Sequence, residues 1–161
     1  MEFWQPLVTR RSIVAATLAG GLMPRAVLDP IAADAANREG PAHMQIRCTF
    51  AGQVFTATLY DNQSARDFAS ALPLDLAIED YSTNEKIAYL PRKLTEEGSE
   101  PFSNEQPGDL CYYAPWGNLA FFYAGYRYSR GLIRLGHLDA GFEPLLKRGK
   151  FPLRIELVSQ P

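Results

Sequence analysis

The sequence predicts a mainly β fold, a closed barrel of short strands capped by two short helices. Two observations carry that prediction. Short segments alternate apolar and polar residues with period two, and clusters of turn residues separate them. Only two brief segments carry a helical period, and no strand–helix–strand rhythm runs through the chain. The 161 residues, 47% apolar and 12% aromatic, fit one domain plus a leader and can bury a sizeable core.

The elements follow in order. Met44, Ile46, Cys48 and Phe50 share one face of the first strand, with Gln45, Arg47 and Thr49 on the other. Ala51-Gly52 turns the chain into a second strand over 53–60, rich in β-branched and aromatic residues. Asp61 or Asn62 can then cap a helix with Ala65, Phe68, Ala69 and Leu72 on its apolar side, closed by Pro73. Alternation resumes at Leu74, Leu76 and Ile78, and again at Ile87 and Tyr89, with a turn at 82–84. Residues 91–109 are polar and hold three prolines and two glycines, which predicts a loop with room for one short strand.

Residues 107–126, PGDLCYYAPWGNLAFFYAGY, form the most aromatic stretch and read as two strands around a turn. Pro115 presets the turn, and Gly117 or Asn118 can take a left-handed conformation. A further strand runs through Leu132, Arg134 and Gly136, and a short helix follows around 142–146. The last strand alternates at Leu153, Ile155 and Leu157.

Residues 9–23 place Arg10-Arg11 before a short apolar run, and Ala33 and Ala35 suit a small-residue cleavage site. The adjacent arginines resemble a twin-arginine export signal. Residues 1–43 are therefore expected to be an export signal and linker, and 44–161 the barrel domain. That places the protein in the periplasm or outside the cell. The competing reading is a misassigned start with Met44 opening the domain, which leaves it cytoplasmic. The apolar run is too short to span a bilayer stably, so no membrane span is expected.

The net charge of −2, with no basic stripe, argues against nucleic acid as a partner. Cys48 and Cys111 lie in strand-like runs, where two buried thiols are favoured over a disulfide. His43 and His137 are far apart and lack metal-ligand spacing, so no metal site is expected. Glu79 and Asp80 are adjacent on a strand and point to opposite faces, which makes them a poor acid–base pair. No nucleotide-binding or nucleophile motif is present, and no cofactor is expected.

Residues 52–74 (GQVFTATLYDNQSARDFASALPL) resemble the cyclophilin pattern of a strand followed by a helix with an Asp-Phe pair, here Asp67-Phe68. PGDLCYYA with GNLAFFYA is similar to the central cyclophilin strands, and residues 131–149 to the strand that leads into the last short helix. Residues 79–94 and 108–123 resemble a bacterial cyclophilin-like group more closely still. The resemblance covers 44–158 and implies a closed barrel of roughly eight strands. For the bacterial group it implies no assigned activity.

Cyclophilins proper are peptidyl-prolyl isomerases that use an arginine and a supporting glutamine beside an apolar pocket. Here Tyr89 and Arg92 are one residue too far apart for the family's Phe-x-Arg motif, and Leu119 stands where the glutamine would fall. Without both polar groups the pocket lacks its electrostatic part. Arg92 would be catalytic only in an isomerase; otherwise it is a solvated charge beside Lys93. The resemblance places Tyr113, Leu119 and Phe121 at the proline pocket and Trp116 at the adjacent turn, and these four are the ligand-binding candidates. Alternation puts Cys111 and Tyr113 on one face and Leu110 and Tyr112 on the other, so about half the aromatics at most can line one site. Tyr112 and Phe122 are read as core.

The expected function is a monomeric module that binds a peptide or small-molecule ligand, with a weak isomerase or folding helper as the alternative and docking through the barrel edge as a third reading. Export predicts that cell fractionation finds the mature chain outside the cytoplasm and shortened at its N-terminus. Full-length material confined to the cytoplasm would refute it.

Overall fold

The computed structural model describes residues 44–158, and the first hairpin shows how local alternation becomes a closed wall. β1 (Gln45–Phe50) turns Ile46, Cys48 and Phe50 into the interior. Ala51 and Gly52, at φ 49° and 75°, make a two-residue turn whose left-handed residues match the twist of the flanking strands. β2 (Gln53–Leu59) returns antiparallel with Phe55, Ala57 and Leu59 inside.

α1 (Gln63–Ser70) begins where the Asn62 side chain accepts the Ala65 N–H at 2.8 Å, one of the donors that a helix start leaves without a partner. The helix buries Ala65, Phe68 and Ala69 against the barrel. The remaining strands are β3 (Leu74–Tyr81), β4 (Glu85–Tyr89), β5 (Asp109–Tyr113), β6 (Asn118–Phe122), β7 (Leu132–Leu138) and β8 (Phe151–Leu157). They close in the order β1-β2-β7-β5-β6-β4-β3-β8, every pairing antiparallel. Because β8 pairs with β1, no open edge is left. Gly136 makes the β2–β7 seam possible, since a Cβ there would collide with the Thr58 carbonyl.

The expected mainly β barrel is present, with adjustments. The second cap is a single 3-10 turn, Glu143–Leu146, and no strand precedes Asp109 in the 91–109 loop. Cys48 lies in the interior and Cys111 on the outer side of β5; both are buried free thiols. Residues 1–43, expected to be an export signal and linker, lie outside the described residues. No helix among the described residues is long and apolar enough to cross a membrane.

The alternation on β4 has a different meaning from the one the sequence suggests. Ile87 and Tyr89 pair alongside outward residues, while Lys86 and Ala88 point inward. Lys86 is fully buried, with its ammonium 5.7 Å and 5.9 Å from the ring centres of Phe50 and Phe151. A buried ammonium survives only with a counter-charge and hydrogen bonds. Asp80, its cross-strand neighbour, provides both: Lys86 Nζ donates to its Oδ1 at 2.7 Å, and the Gly149 N–H donates to Oδ2 at 2.6 Å. Partial burial pulls the Asp80 carboxyl upward. The bonds from Lys86 and Gly149, with the charges of Lys86 and Arg148, outweigh it and hold the group below its ordinary 3.8.

Replacing Asp80→Asn is expected to cost about 3 kcal/mol in urea unfolding at neutral pH, because Lys86 is left buried and uncompensated. Adding Lys86→Met should recover most of that loss. Asp80's contribution is complete above pH 3.8 and is lost as pH falls through the lower folded value. A neutral effect of Asp80→Asn would refute this account.

Candidate functional site

The outer face of β4, β6 and β5 carries a cleft because the three strands place small residues between large ones. Their registers align Glu85 with Phe122, Ile87 with Ala120 and Cys111, and Tyr89 with Asn118 and Tyr113. Ala120 and Cys111 leave a depression along the middle row, and a cleft of about 300 Å³ opens over it. On one side stand Tyr81, Tyr113 and Trp116. On the other, Phe122 is stacked on Tyr126 with ring centres 3.6 Å apart.

The turn between β5 and β6 sets the position of Trp116. Gly117 takes φ 71°, which an L side chain adopts only with strain, and its N–H bonds back to the Tyr113 carbonyl at 2.8 Å. The indole therefore projects over the face at 48% exposure. Tyr81 and Tyr113 meet it edge-to-face at 5.4 Å and 5.5 Å, with interplanar angles of 88° and 76°. Aromatic pairs favour such crossed geometry because ring edges are positive and faces negative.

Two polar groups interrupt the apolar lining. Glu85 is half-buried, and no cation among the described residues lies within ion-pair distance; burial pushes its carboxyl up to about 7. Asn118 is 2% exposed. Its Nδ2 donates to the Leu119 carbonyl at 2.9 Å, while Oδ1 has no donor among the described residues. A buried acceptor without a donor is uncommon in folded proteins and costs about 1–3 kcal/mol. Beside the cleft, the Tyr126 hydroxyl donates to buried Asp109 at 2.6 Å and lies 3.7 Å from the Cys111 sulfur. Burial, together with nearby Asp109 and Glu85, pushes the Cys111 thiol up to about 12, against the opposing influence of Tyr126 and Arg134. Cys111 is thus a packing residue under the cleft floor.

The candidate ligand-binding residues divide between two environments. Tyr113 and Trp116 line the cleft, whereas Leu119 and Phe121 point into the barrel and are fully buried. Tyr112 is interior core, and Phe122 packs in the smaller outer cluster. The carboxamide that faces outward is Asn118, one residue before Leu119.

Arg92 does not line this cleft. It grips Asp67 of α1 through Nη2–Oδ1 at 2.6 Å and Nη1–Oδ2 at 3.1 Å, beside a separate apolar cleft of about 320 Å³ that includes Leu74, Leu90 and Leu94. The Arg92 hydrogen bond, opposed by desolvation and aided by the Thr95 N–H, holds the Asp67 carboxyl below its ordinary value. His137 contacts the Leu138 carbonyl through Nδ1 at 2.7 Å, and the described residues hold no cluster fit for a metal ion.

Sequence reasoning passed over Tyr81, Glu85 and Asn118. The signal was present for Glu85, which is in period with Ile87 and Tyr89 once that face is taken as the outer one.

Residues 48–156 match the model of the cyclophilin-like family. A solved structure of a hypothetical protein from Archaeoglobus fulgidus is similar to this chain, with a TM-score of 0.60 at 19% identity, over 75% of this chain and 99% of that one. At that identity the likeness speaks for the fold. No curated protein matches the chain.

Carbon-13 NMR of the side-chain carboxyls should show Glu85 titrating near pH 7, well above its ordinary 4.5. Since the folded value is the raised one, the stability linked to this group is full below pH 4.5 and is lost as pH rises through 7. A midpoint below 5 would contradict the desolvated environment described for the cleft.

Proposed function

The chain belongs to the cyclophilin-like family, and on that premise we propose that it is an exported binding module that takes a peptide or small ligand in the outer aromatic cleft, without efficient isomerase chemistry. The observation that carries this reading is the combination at the cleft of crossed aromatic rings, a desolvated carboxyl and a carboxamide oxygen without a donor. Ligand sites are concave and mainly apolar, with a few polar groups that fix orientation. Stable cores seldom leave such groups without partners.

The chemistry of prolyl isomerisation has less support. Lowering the high barrier of an X-Pro bond requires a polar group directed at the amide. Arg92 is the residue the resemblance offers, and both of its terminal nitrogens are engaged by Asp67. Leu119, at the expected place of the glutamine, faces the interior.

With Trp4→Phe removing the other tryptophan, Trp116 emission should change saturably as blocked peptides and small metabolites are titrated, and Trp116→Phe should abolish the signal. A proline tetrapeptide should isomerise at its uncatalysed rate in the presence of the protein. Robust acceleration that disappears in Arg92→Ala would overturn the proposal in favour of an isomerase.

A further inference from the structure

Glu85 sits in a cleft walled by electron-rich rings and has no cationic partner among the described residues. A carboxylate in that setting is stabilised chiefly by a counter-cation. The same walls suit a cation directly, because the negative faces of tryptophan and tyrosine attract positive charge most strongly once it is desolvated. Asn118 adds a third requirement. Its Oδ1 is an acceptor enclosed at the floor and lacks a donor, so a small side-chain shift that admits an N–H would satisfy it. Arg127 borders the cleft but is exposed, where solvent weakens its opposition.

Resting on the cleft reading above, we infer that the ligand is a planar organic cation bearing N–H donors, a guanidinium group, stacked on the Trp116 wall and paired with Glu85. A guanidinium meets all three features at once: it stacks on aromatic faces, pairs with a carboxylate and has N–H groups left for a carboxamide. A quaternary ammonium would satisfy the rings and the carboxylate but not Asn118. A neutral proline ring would satisfy the rings alone.

The titratable and charged groups around Glu85 are Tyr81 from β3, Cys111 and Tyr113 from β5, and Tyr126 and Arg127 from the segment after β6. Burial pushes the Cys111 thiol and the Tyr126 hydroxyl up, away from this range. Glu85, pushed up to about 7, changes its charge between pH 6 and 8.

Calorimetric titration of the full-length chain tests the inference with N-acetyl-arginine amide, whose charge is constant over this range. The neutral N-acetyl-glutamine amide, tetramethylammonium and N-acetyl-proline amide serve as comparators. The arginine compound should bind at least about tenfold more tightly than any of the three. Its affinity should rise about tenfold from pH 6 to pH 8 as Glu85 ionises. Glu85→Gln should remove both the preference and the pH dependence, and Trp116→Ala should weaken binding about fivefold, with thermal unfolding confirming that both variants fold. Agmatine compared with a blocked Ala-Arg-Ala peptide then separates a small guanidino compound from an arginine side chain. If the proline or glutamine compound binds as well as the arginine one, the guanidinium inference fails and the cleft remains a binding site. If no ligand, charged or neutral, binds the cleft, both fail.

Discussion

Closure of the barrel is the constraint on which everything else rests. Once β8 pairs with β1, each strand has a fixed inside and a fixed outside, and each side chain is assigned to one of them by its position in the pleat. Phe121 is interior for the same reason that Ala120 and Phe122 are exterior. The cleft is the outward record of that assignment: the row through Ile87, Ala120 and Cys111 is low because two of its three members are small, while the aromatic neighbours rise around it.

Interior and exterior also separate two kinds of buried charge. Lys86 is enclosed but answered within the protein by Asp80, which in turn holds the Gly149 amide and so ties the start of β8 to the β3–β4 hairpin. Glu85, the adjacent residue, faces the other way and receives no such answer among the described residues. The contrast arises from a one-residue step along a single strand. It separates a structural ion pair from a desolvated carboxyl that has no cationic partner among the described residues.

Much of the fold was legible in the sequence because most strands alternate strongly or are bounded by clear turn residues; Ala51-Gly52 and Asn62 act as their chemistry suggests. Legibility failed where both faces of a strand are apolar. β5 and β6 are buried almost throughout, so hydrophobicity alone does not say which residues turn outward. On β4 the apolar residues Ile87 and Tyr89 suggested an inward face, and the buried lysine was invisible because its partner lies across a hairpin. The same ambiguity hid the site. Tyr113 and Trp116 could be found as aromatics near a turn, but Leu119 and Asn118 differ by one position, and one position is a change of side.

The β1–β8 seam has one more consequence. The Val158 amide donates to the Gln45 carbonyl at 2.8 Å, so the two ends of the domain leave it side by side. Adjacent ends make a fold tolerant of being re-cut, since a short linker can join them while the chain is opened elsewhere. The exposed stretch at 96–100, none of whose residues lines the aromatic cleft, is the natural place for the new ends. In engineering terms the barrel is a ring that can be opened at a chosen point, and its aromatic cleft face could be carried as an insert within another protein's loop.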